Sequence, residues 1–516
     1  MRALIRRHYS TENYANFILS SVERVASKTP SRAAIIEGVS GKATSYADLA
    51  YRIGAASRGF KTVGVRRGTV VAVHMPNCPE FVVTFNALAS LGAVITTSNP
   101  AYSPTELAHQ FKDSGAEFVV THPALEPTVK ASVANSGMKE ERILTLGQPS
   151  ASFLTTDVSS PGAPRSLPEV ESVDGPKTLL ALPYSSGTTG LPKGVALSHG
   201  NLVANLQQAG SFMQEGDVVM GVLPMYHIYG ITCIMGIPLL QGATCVTLPK
   251  FDPPVFLSTM MKFKTNFMYV VPPILSFLVK HPAAAPLDFS FVHTVFSGAA
   301  PLDADAQKAA QLRFPNSAIL QGYGMTESSP ITHMETKDCH RMGSIGKPVP
   351  DTQCRIVSTE DWKTILPSGE KNRGELQVKG PQVMMGYHNN AKATSDTVLQ
   401  DGWLRTGDVA YQDSDGFFYI VDRIKELIKV KGLQVAPAEL EAHLLSHPLV
   451  YDAAVVGKPD ERAGELPVAF VVLKAQMLKS MGKTADADAL PKVSGSELIG
   501  WVAGKTAEYK KLCALV

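Results

Sequence analysis

Cysteine is scarce in this chain and has no pattern: Cys78, Cys233, Cys245, Cys339, Cys354 and Cys513 are scattered without C-x-x-C spacing. This excludes a zinc ribbon or a disulfide scaffold and points to a reducing compartment, with the cytoplasm as the expected location. An excess of one charge is also missing. The net charge is only +2, with no basic cluster or stripe, so no nucleic-acid partner is expected. No long apolar run survives either: the most apolar region, 218–248, is broken by glycines, Pro224, His227 and Pro238 and reads as strand and core helix, not a membrane span. The N-terminus is basic, but polar residues follow it where a secretory signal needs an apolar stretch. A G-x-S-x-G elbow is absent, as is an evident Cys/His pairing, so the chemistry expected here needs no side-chain nucleophile.

What is present is enough apolar residue for a large core. The chain has 516 residues, 45% hydrophobic and 18% charged, and divides naturally into more than one domain. Strand and helix patterns alternate from an early point. Residues 69–74 form a β-branched run, 80–90 a helix ended near Gly92, and 93–97 another strand, which together predict a parallel βαβ unit. Ser103-Pro104-Thr105-Glu106 is a capping box with proline at the first helical position. Segment 147–176, rich in Ser, Pro and Gly, reads as a surface loop. The alternation resumes through 218–223, 243–248, 267–271 and 292–296, giving an α/β fold class with a large doubly wound N-terminal body. Short strands at 354–357, 374–378 and 417–421 predict a β-rich subdomain over about 343–422. Beyond it, a hairpin at 426–435, a helix at 437–445 and strands at 453–456 and 468–473 predict a small α+β lid over 423–516.

One stretch organises the rest: Tyr184-Ser185-Ser186-Gly187-Thr188-Thr189-Gly190-Leu191-Pro192-Lys193-Gly194-Val195. Its hydroxyls, glycines and single lysine offer donors that can surround an anion, and a polyphosphate is the obvious one. No Walker A register fits, because Lys193 follows Pro192 and the loop leads into a strand. A plain hairpin turn would be shorter.

This loop resembles the phosphate-binding motif of the acyl-adenylate-forming enzymes. It is joined, in the family's order, by Gln321-Gly322-Tyr323-Gly324-Met325-Thr326-Glu327, by Gly402-Trp403-Leu404-Arg405-Thr406-Gly407-Asp408 and by Asp422-Arg423-Ile424-Lys425-Glu426-Leu427-Ile428-Lys429. Leu223-Pro224-Met225-Tyr226-His227-Ile228-Tyr229 and the run from Lys431 to Leu440 resemble plant 4-coumarate:CoA ligases and their ligase-like relatives. The resemblance runs from about residue 14 to residue 511. It implies an ATP-dependent carboxylic acid:CoA ligase with ATP, Mg2+ and CoA as cofactor and co-substrates, working as a monomer on a small-molecule acid. An adenylation module of a peptide synthetase and a luciferase-like oxygenase are the other readings of the same motifs.

The resemblance also implies roles. Ser185, Ser186, Gly187, Thr188, Thr189 and Lys193 match the loop that closes over the β- and γ-phosphates. Gln321, Gly322, Tyr323 and Gly324 match the strip beside the adenine and the acyl group, where a tyrosine face can stack on a purine. Thr326 would meet the α-phosphate and Glu327 would hold Mg2+. Asp408, with Arg423, would take the ribose hydroxyls, although a Thr-Gly-Asp sequence also reads as a turn. His227 matches a gate beside the acyl carboxylate, where a lone histidine is otherwise a core residue. Lys429 and Gln434 match lid residues that reach the adenylate or the thioester-forming site, Lys425 sits in the hinge stretch 422–425 on the nucleotide side, and Lys431, Gly432 and Lys250 match contacts to CoA. The lysines on the short lid strand also fit a plain solvated face. Tyr229, Cys233, Ala299, Gly322 and Met334 match the acid pocket. They leave hydroxycinnamates and fatty or oxylipin-type acids both open.

Two departures from the family pattern carry expectations. The tripeptide Ala514-Leu515-Val516 is not the S-K-L address of many relatives. A P-x-x-x-S-G-K loop, expected shortly after Leu512, has no match, and the one Ser-Gly-Lys is Ser40-Gly41-Lys42. From this, slow adenylation with a less affected thioester step is expected, or an adenylate- and CoA-binding homologue impaired in adenylation.

Overall fold

The computed structural model describes residues 12–155, 167–185, 192–430, 433–460, 462–480, 484–506 and 510–516, with the backbone alone at 211, 433, 434 and 485. Ser186, Gly187, Thr188, Thr189, Lys431 and Gly432 lie outside the described residues.

Two large sheets, where sequence periodicity suggests one doubly wound body, carry the N-terminal part. The first centres on Val70–His74, paired in parallel with Val94–Thr97 on one side and Phe118–Thr121 on the other. It extends through Ile143–Thr145 at one edge and through Leu179–Ala181, Lys193–Ser198 and Gly386–Tyr387 at the other. The second orders Lys347–Pro348, Ile331–Met334, Ala318–Gly324, Thr294–Ser297, Phe267–Val270, Val218–Gly221, Thr244–Thr247, Ala33–Glu37 and Ala43–Ser45. Strands such as Val94–Thr97 and Phe267–Val270 are buried at every position, as parallel strands covered on both faces must be. That is why they read as continuous apolar or β-branched runs. Between them the helices start where predicted. Ser103 and Glu106 form the reciprocal capping box of Pro104–Ser114, and Gly115 ends that helix with φ 69°. A single apolar core joins both sheets, from Tyr14 to Phe418.

A four-stranded antiparallel sheet follows, ordered Gln353–Val357, Gly374–Lys379, Leu404–Gln412 and Phe418–Arg423. Here the turn reading of Asp408 is corrected. Asp408 lies inside the strand Leu404–Gln412, and Gly407, with φ 74°, bends that strand without ending it. The pairing register shifts on both sides of this point, the signature of a bulge that re-aims a side chain.

The C-terminal part has its own core, built from Ile428, Val435, Leu440, Leu444, Val455, Ala469, Leu498 and neighbours. Its sheet joins the hairpin Ile428–Val430 and Leu433–Val435 to the long pair Val450–Asp460 and Gly464–Leu473, with Ala514–Leu515 parallel to the latter. Helices Pro437–Leu445 and Gly495–Ala503 pack on this core. A cavity of about 520 Å3 is lined by Leu427, Ala436 and Glu439 of this part and by Glu370, Lys371 and Arg373, which precede the strand Gly374–Lys379. No described helix is long and apolar enough to cross a membrane.

Candidate active site

The described ends of the phosphate-loop motif form a hairpin stem. Tyr184–Ser185 pairs antiparallel with Lys193–Ser198, setting Ser185 opposite Lys193 and Tyr184 opposite Gly194. The stem is anchored to the first sheet's helices, because the Tyr184 hydroxyl donates to Asp113 Oδ2 at 2.6 Å. Lys193–Ser198 also pairs with Gly386–Tyr387. That second pairing delivers Tyr387 to the loop.

Glu327 sits on the single turn Thr326–Ser328, after the strand Ala318–Gly324, and is 5% exposed. Its Oε1 accepts from Ser185 Oγ at 3.0 Å and from the Tyr387 hydroxyl at 2.7 Å. The ammonium of Lys193 stands 5.1 Å from the centroid of the Tyr387 ring. Burial, reinforced by the Glu327 charge, pushes the Tyr387 phenol up, so it remains a donor at neutral pH. A buried carboxylate with hydroxyl partners suits a hard divalent ion, which is commonly held by one or two protein carboxylates together with substrate phosphates. Among the described residues no group of three or more His, Cys, Asp or Glu could hold a metal by itself.

A second cluster lies beside the first. The Tyr323 hydroxyl donates to Asp408 Oδ2, and Arg423 Nε stands 3.7 Å from Asp408 Oδ1. The small sheet creates this meeting, because Asp408 and Arg423 are directly paired across their strands. Burial holds the Asp408 carboxyl above its ordinary value despite both partners. Gln321, expected along the same strip, is used otherwise: its side chain bonds Leu302 N, Leu302 O and Ser344 O inside the body. Gly322 is required by close approach, since a Cβ there would stand 2.4 Å from the Phe296 ring.

The third cluster is apolar. His227 stands exposed just before the helical segment that carries Tyr229 and Cys233, walled closely enough that desolvation lowers its imidazole below the usual histidine range. Residues Gly230–Gly236 form a π-helix, a widened turn often found at functional sites. Tyr229, Cys233 and Met334 are buried, and Ala299 has φ 69°, a strained value for a residue with a side chain. Behind them stand Tyr269 and Phe296, in register on neighbouring strands. The Tyr269 ring meets Tyr229 edge-on at 6.0 Å and Phe296 at 5.7 Å. Tyr269 is fully buried, and its hydroxyl has no hydrogen-bond partner among the described residues. The Tyr229 hydroxyl has one long bond, 3.4 Å to Phe296 O.

Sequence reading missed Tyr387 and Tyr269. Tyr387 lies 60 residues from Glu327 in a two-residue strand with no motif of its own. Tyr269 sits in an apolar run whose facing could not be read without the neighbouring strands. The structure gathers Ser185, Lys193, Glu327, Tyr323, Asp408 and Arg423, and separately Tyr229 and Cys233. Lys429 and Gln434 face each other across their hairpin, and the Lys429 amide donates to Glu465 Oε2. Lys250 and Lys425 are exposed, the first after the strand Thr244–Thr247 and the second just past the strand Phe418–Arg423.

Comparison with known proteins agrees with this geometry. Residues 22–388 match the family model described as AMP-binding enzyme, and 439–515 match the AMP-binding enzyme C-terminal domain. The 4-coumarate--CoA ligase 5 of Oryza sativa subsp. japonica is 40% identical over 466 residues, covering 88% of this chain and 84% of the relative. ATP-bound MatB from Rhodopseudomonas palustris superposes with TM-score 0.84 at 27% identity, covering 97% of this chain and 94% of that one. The o-succinylbenzoate CoA synthetase of Bacillus subtilis, in complex with its acyl-adenylate intermediate, gives TM-score 0.78 at 26% identity, with 96% and 94% covered. Matched over both its large body and its C-terminal part, the chain belongs to the AMP-binding enzyme family.

Proposed function

We propose that the three clusters are the phosphate, ribose and acyl subsites of one reaction centre. The chain is an ATP-dependent acid:CoA ligase. In the first half-reaction a carboxylate oxygen attacks the α-phosphorus of ATP and pyrophosphate leaves, giving an acyl-AMP. In the second, the thiol sulfur of CoA attacks the acyl carbon, AMP leaves, and the thiol proton passes to solvent. Both steps concentrate negative charge, so preorganised donors and cations carry most of the catalysis.

The observation that carries the assignment is the Glu327 carboxylate, gripped on one oxygen by Ser185 and Tyr387 beside the Lys193 ammonium. Glu327 would hold Mg2+, which when bound would screen the phosphate charge. Lys193, with Ser186, Gly187, Thr188 and Thr189, binds the β- and γ-phosphates, and Thr326 faces the α-phosphate. Tyr323 lies beside the adenine, and Asp408 and Arg423 orient the ribose. His227 gates the acyl carboxylate. The lid, which we bound at 423–516, turns about 422–425 and brings Lys429 and Gln434 to the centre. Lys250, Lys431 and Gly432 receive CoA. We extend the proposal to a monomer in the cytoplasm, tested by light scattering and by imaging of a tagged chain.

The aromatic walls and the orphaned Tyr269 hydroxyl support a hydroxylated aromatic acid over a fatty acid. The deciding experiment measures acid-dependent AMP formation with and without CoA, over hydroxycinnamates and medium-chain fatty acids. AMP that requires both acid and CoA, fastest with hydroxycinnamates, is expected. AMP formation indifferent to CoA would refute the ligase assignment, and a preference for fatty acids would refute the acid.

A further inference from the structure

Tyr387 reaches both halves of the phosphate subsite with one side chain. Its backbone is fixed first. Gly386 takes φ 142°, and a Cβ there would stand 2.7 Å from Thr394 Cγ2, so the chain closes tightly at that point. The Tyr387 amide then donates to Thr394 Oγ1 at 2.8 Å, and Gly386 and Tyr387 pair with Ala196 and Val195 of the hairpin strand. A phenol held this way has little freedom left. Its hydroxyl meets Glu327 Oε1 at 2.7 Å while its ring face lies 5.1 Å from the Lys193 ammonium.

Each contact has a consequence for ATP. Two hydroxyl donors, from Tyr387 and Ser185, converge on Oε1, and among the described residues no hydrogen bond engages Oε2. The carboxylate is therefore locked in one rotamer with one oxygen left for a cation, which is how outer partners tune a metal ligand. On the other side, a cation resting on an aromatic face is held weakly enough to release to a phosphate and firmly enough to stay near it.

We propose that Tyr387 is a positioning residue, one that presents Glu327 to the nucleotide-bound Mg2+ through its hydroxyl and holds Lys193 at the loop stem through its ring. The inference rests on the assignment of Glu327 and Lys193 above, and its two parts separate by substitution. Tyr387→Phe removes the hydroxyl and keeps the ring, whereas Tyr387→Leu removes both.

The test is ATP binding to the full chain by calorimetry across a MgCl2 series, without acid, so that no chemistry occurs. For Tyr387→Phe the Mg2+ concentration giving half of the full ATP affinity should rise about ten-fold, as loss of an outer metal partner does. At saturating Mg2+ its ATP affinity should match wild type. Tyr387→Leu should show the same metal defect and, at saturating Mg2+, an ATP affinity lower by about three-fold, as loss of a cation–π contact implies. Electron paramagnetic resonance of Mn2+ bound with ATP should report the same loss in Tyr387→Phe without any turnover. A Tyr387→Phe variant that titrates like wild type overturns the proposal. So does one weakened equally at every Mg2+ concentration, because that is the mark of a merely structural tyrosine. Should Tyr387→Leu fail to fold, the Phe variant alone decides the metal part, and Tyr387→Met, which also lacks the ring, decides the ring part by whether ATP affinity at saturating Mg2+ falls below that of the Phe variant. A wild-type chain whose ATP binding ignores Mg2+ overturns the Glu327 assignment itself, an outcome distinct from the others.

Discussion

The nucleotide side and the acid side of the site are built on opposite principles. Glu327 and Asp408 have partners: Ser185, Tyr387, Tyr323 and Arg423 all engage a carboxylate. Around the proposed acyl subsite, the Tyr269 hydroxyl has none among the described residues and the Tyr229 hydroxyl has one long contact. An unsatisfied buried hydroxyl costs roughly 1–3 kcal/mol. A protein can pre-pair the groups that meet the same nucleotide in every cycle. In the proposed assignment, groups that read the acid stay unpaired until the acid arrives, and their cost is offset only in the complex.

The comparison is broken most severely on the paired side. Lys193→Ala removes the loop's cation and Glu327→Gln weakens the carboxylate that Ser185 and Tyr387 grip. Each should slow acid-dependent pyrophosphate release about 100- to 1,000-fold, the range seen when a preorganised electrostatic group is lost. Pyrophosphate release within a factor of two of wild type in both variants would show that the pairing around Glu327 does not serve ATP. Next in size is the hinge. Lys425→Pro fixes φ where the lid is taken to turn, and should slow one half-reaction relative to the other by about ten-fold. Single-turnover rates for acyl-AMP formation and for its capture by CoA would fall together if 422–425 is not the pivot.

Much of this was legible in the sequence, and the misses have physical causes. Strands such as Val70–His74 announce themselves because burial on both faces demands β-branched runs. The helix Pro437–Leu445 begins at the very proline that the sequence suggests. Only the turn reading of Asp408 fails, because Gly407 carries a turn signal while the strand absorbs that glycine as a bulge. Gln321 shows the limit of motif reasoning: the strand is right, but its side chain turns inward to Leu302 and Ser344. Tyr387 could not be found by any local signal, since its value comes from contacts with residues far away in the chain.

On the unpaired side the expected effect is smaller. Tyr269→Phe deletes a buried hydroxyl that has no partner among the described residues, so thermal stability should hold or rise slightly. The ratio of kcat/KM for 4-hydroxycinnamate over cinnamate should fall about ten-fold, through the hydroxylated acid alone, since a site built to bond a hydroxyl loses that discrimination with its partner. An unchanged ratio would mean that the orphan hydroxyl does not face the acid.

The smallest effect sharpens what pairing means. Asp422, at the start of the proposed hinge, is paired on both oxygens: Oδ1 accepts from the Arg423 amide at 2.7 Å and Oδ2 from the Ala438 amide at 3.2 Å, at the first turn of the helix Pro437–Leu445. Burial nevertheless outweighs these bonds and pushes its carboxyl from 3.8 up to about 6, with Glu426 and Glu441 adding to the rise. The folded state therefore holds a proton that the unfolded chain releases between those two values. By linkage, the stabilisation is complete below pH 3.8 and is lost as pH rises through about 6. Asp422→Asn cannot titrate, so other groups cancel when the two proteins are compared at each pH. The melting temperature of the variant minus that of wild type should climb by on the order of 1–3 °C across this window and level off above it. Parallel melting curves over the whole range would mean that the two amide bonds suffice to keep Asp422 charged.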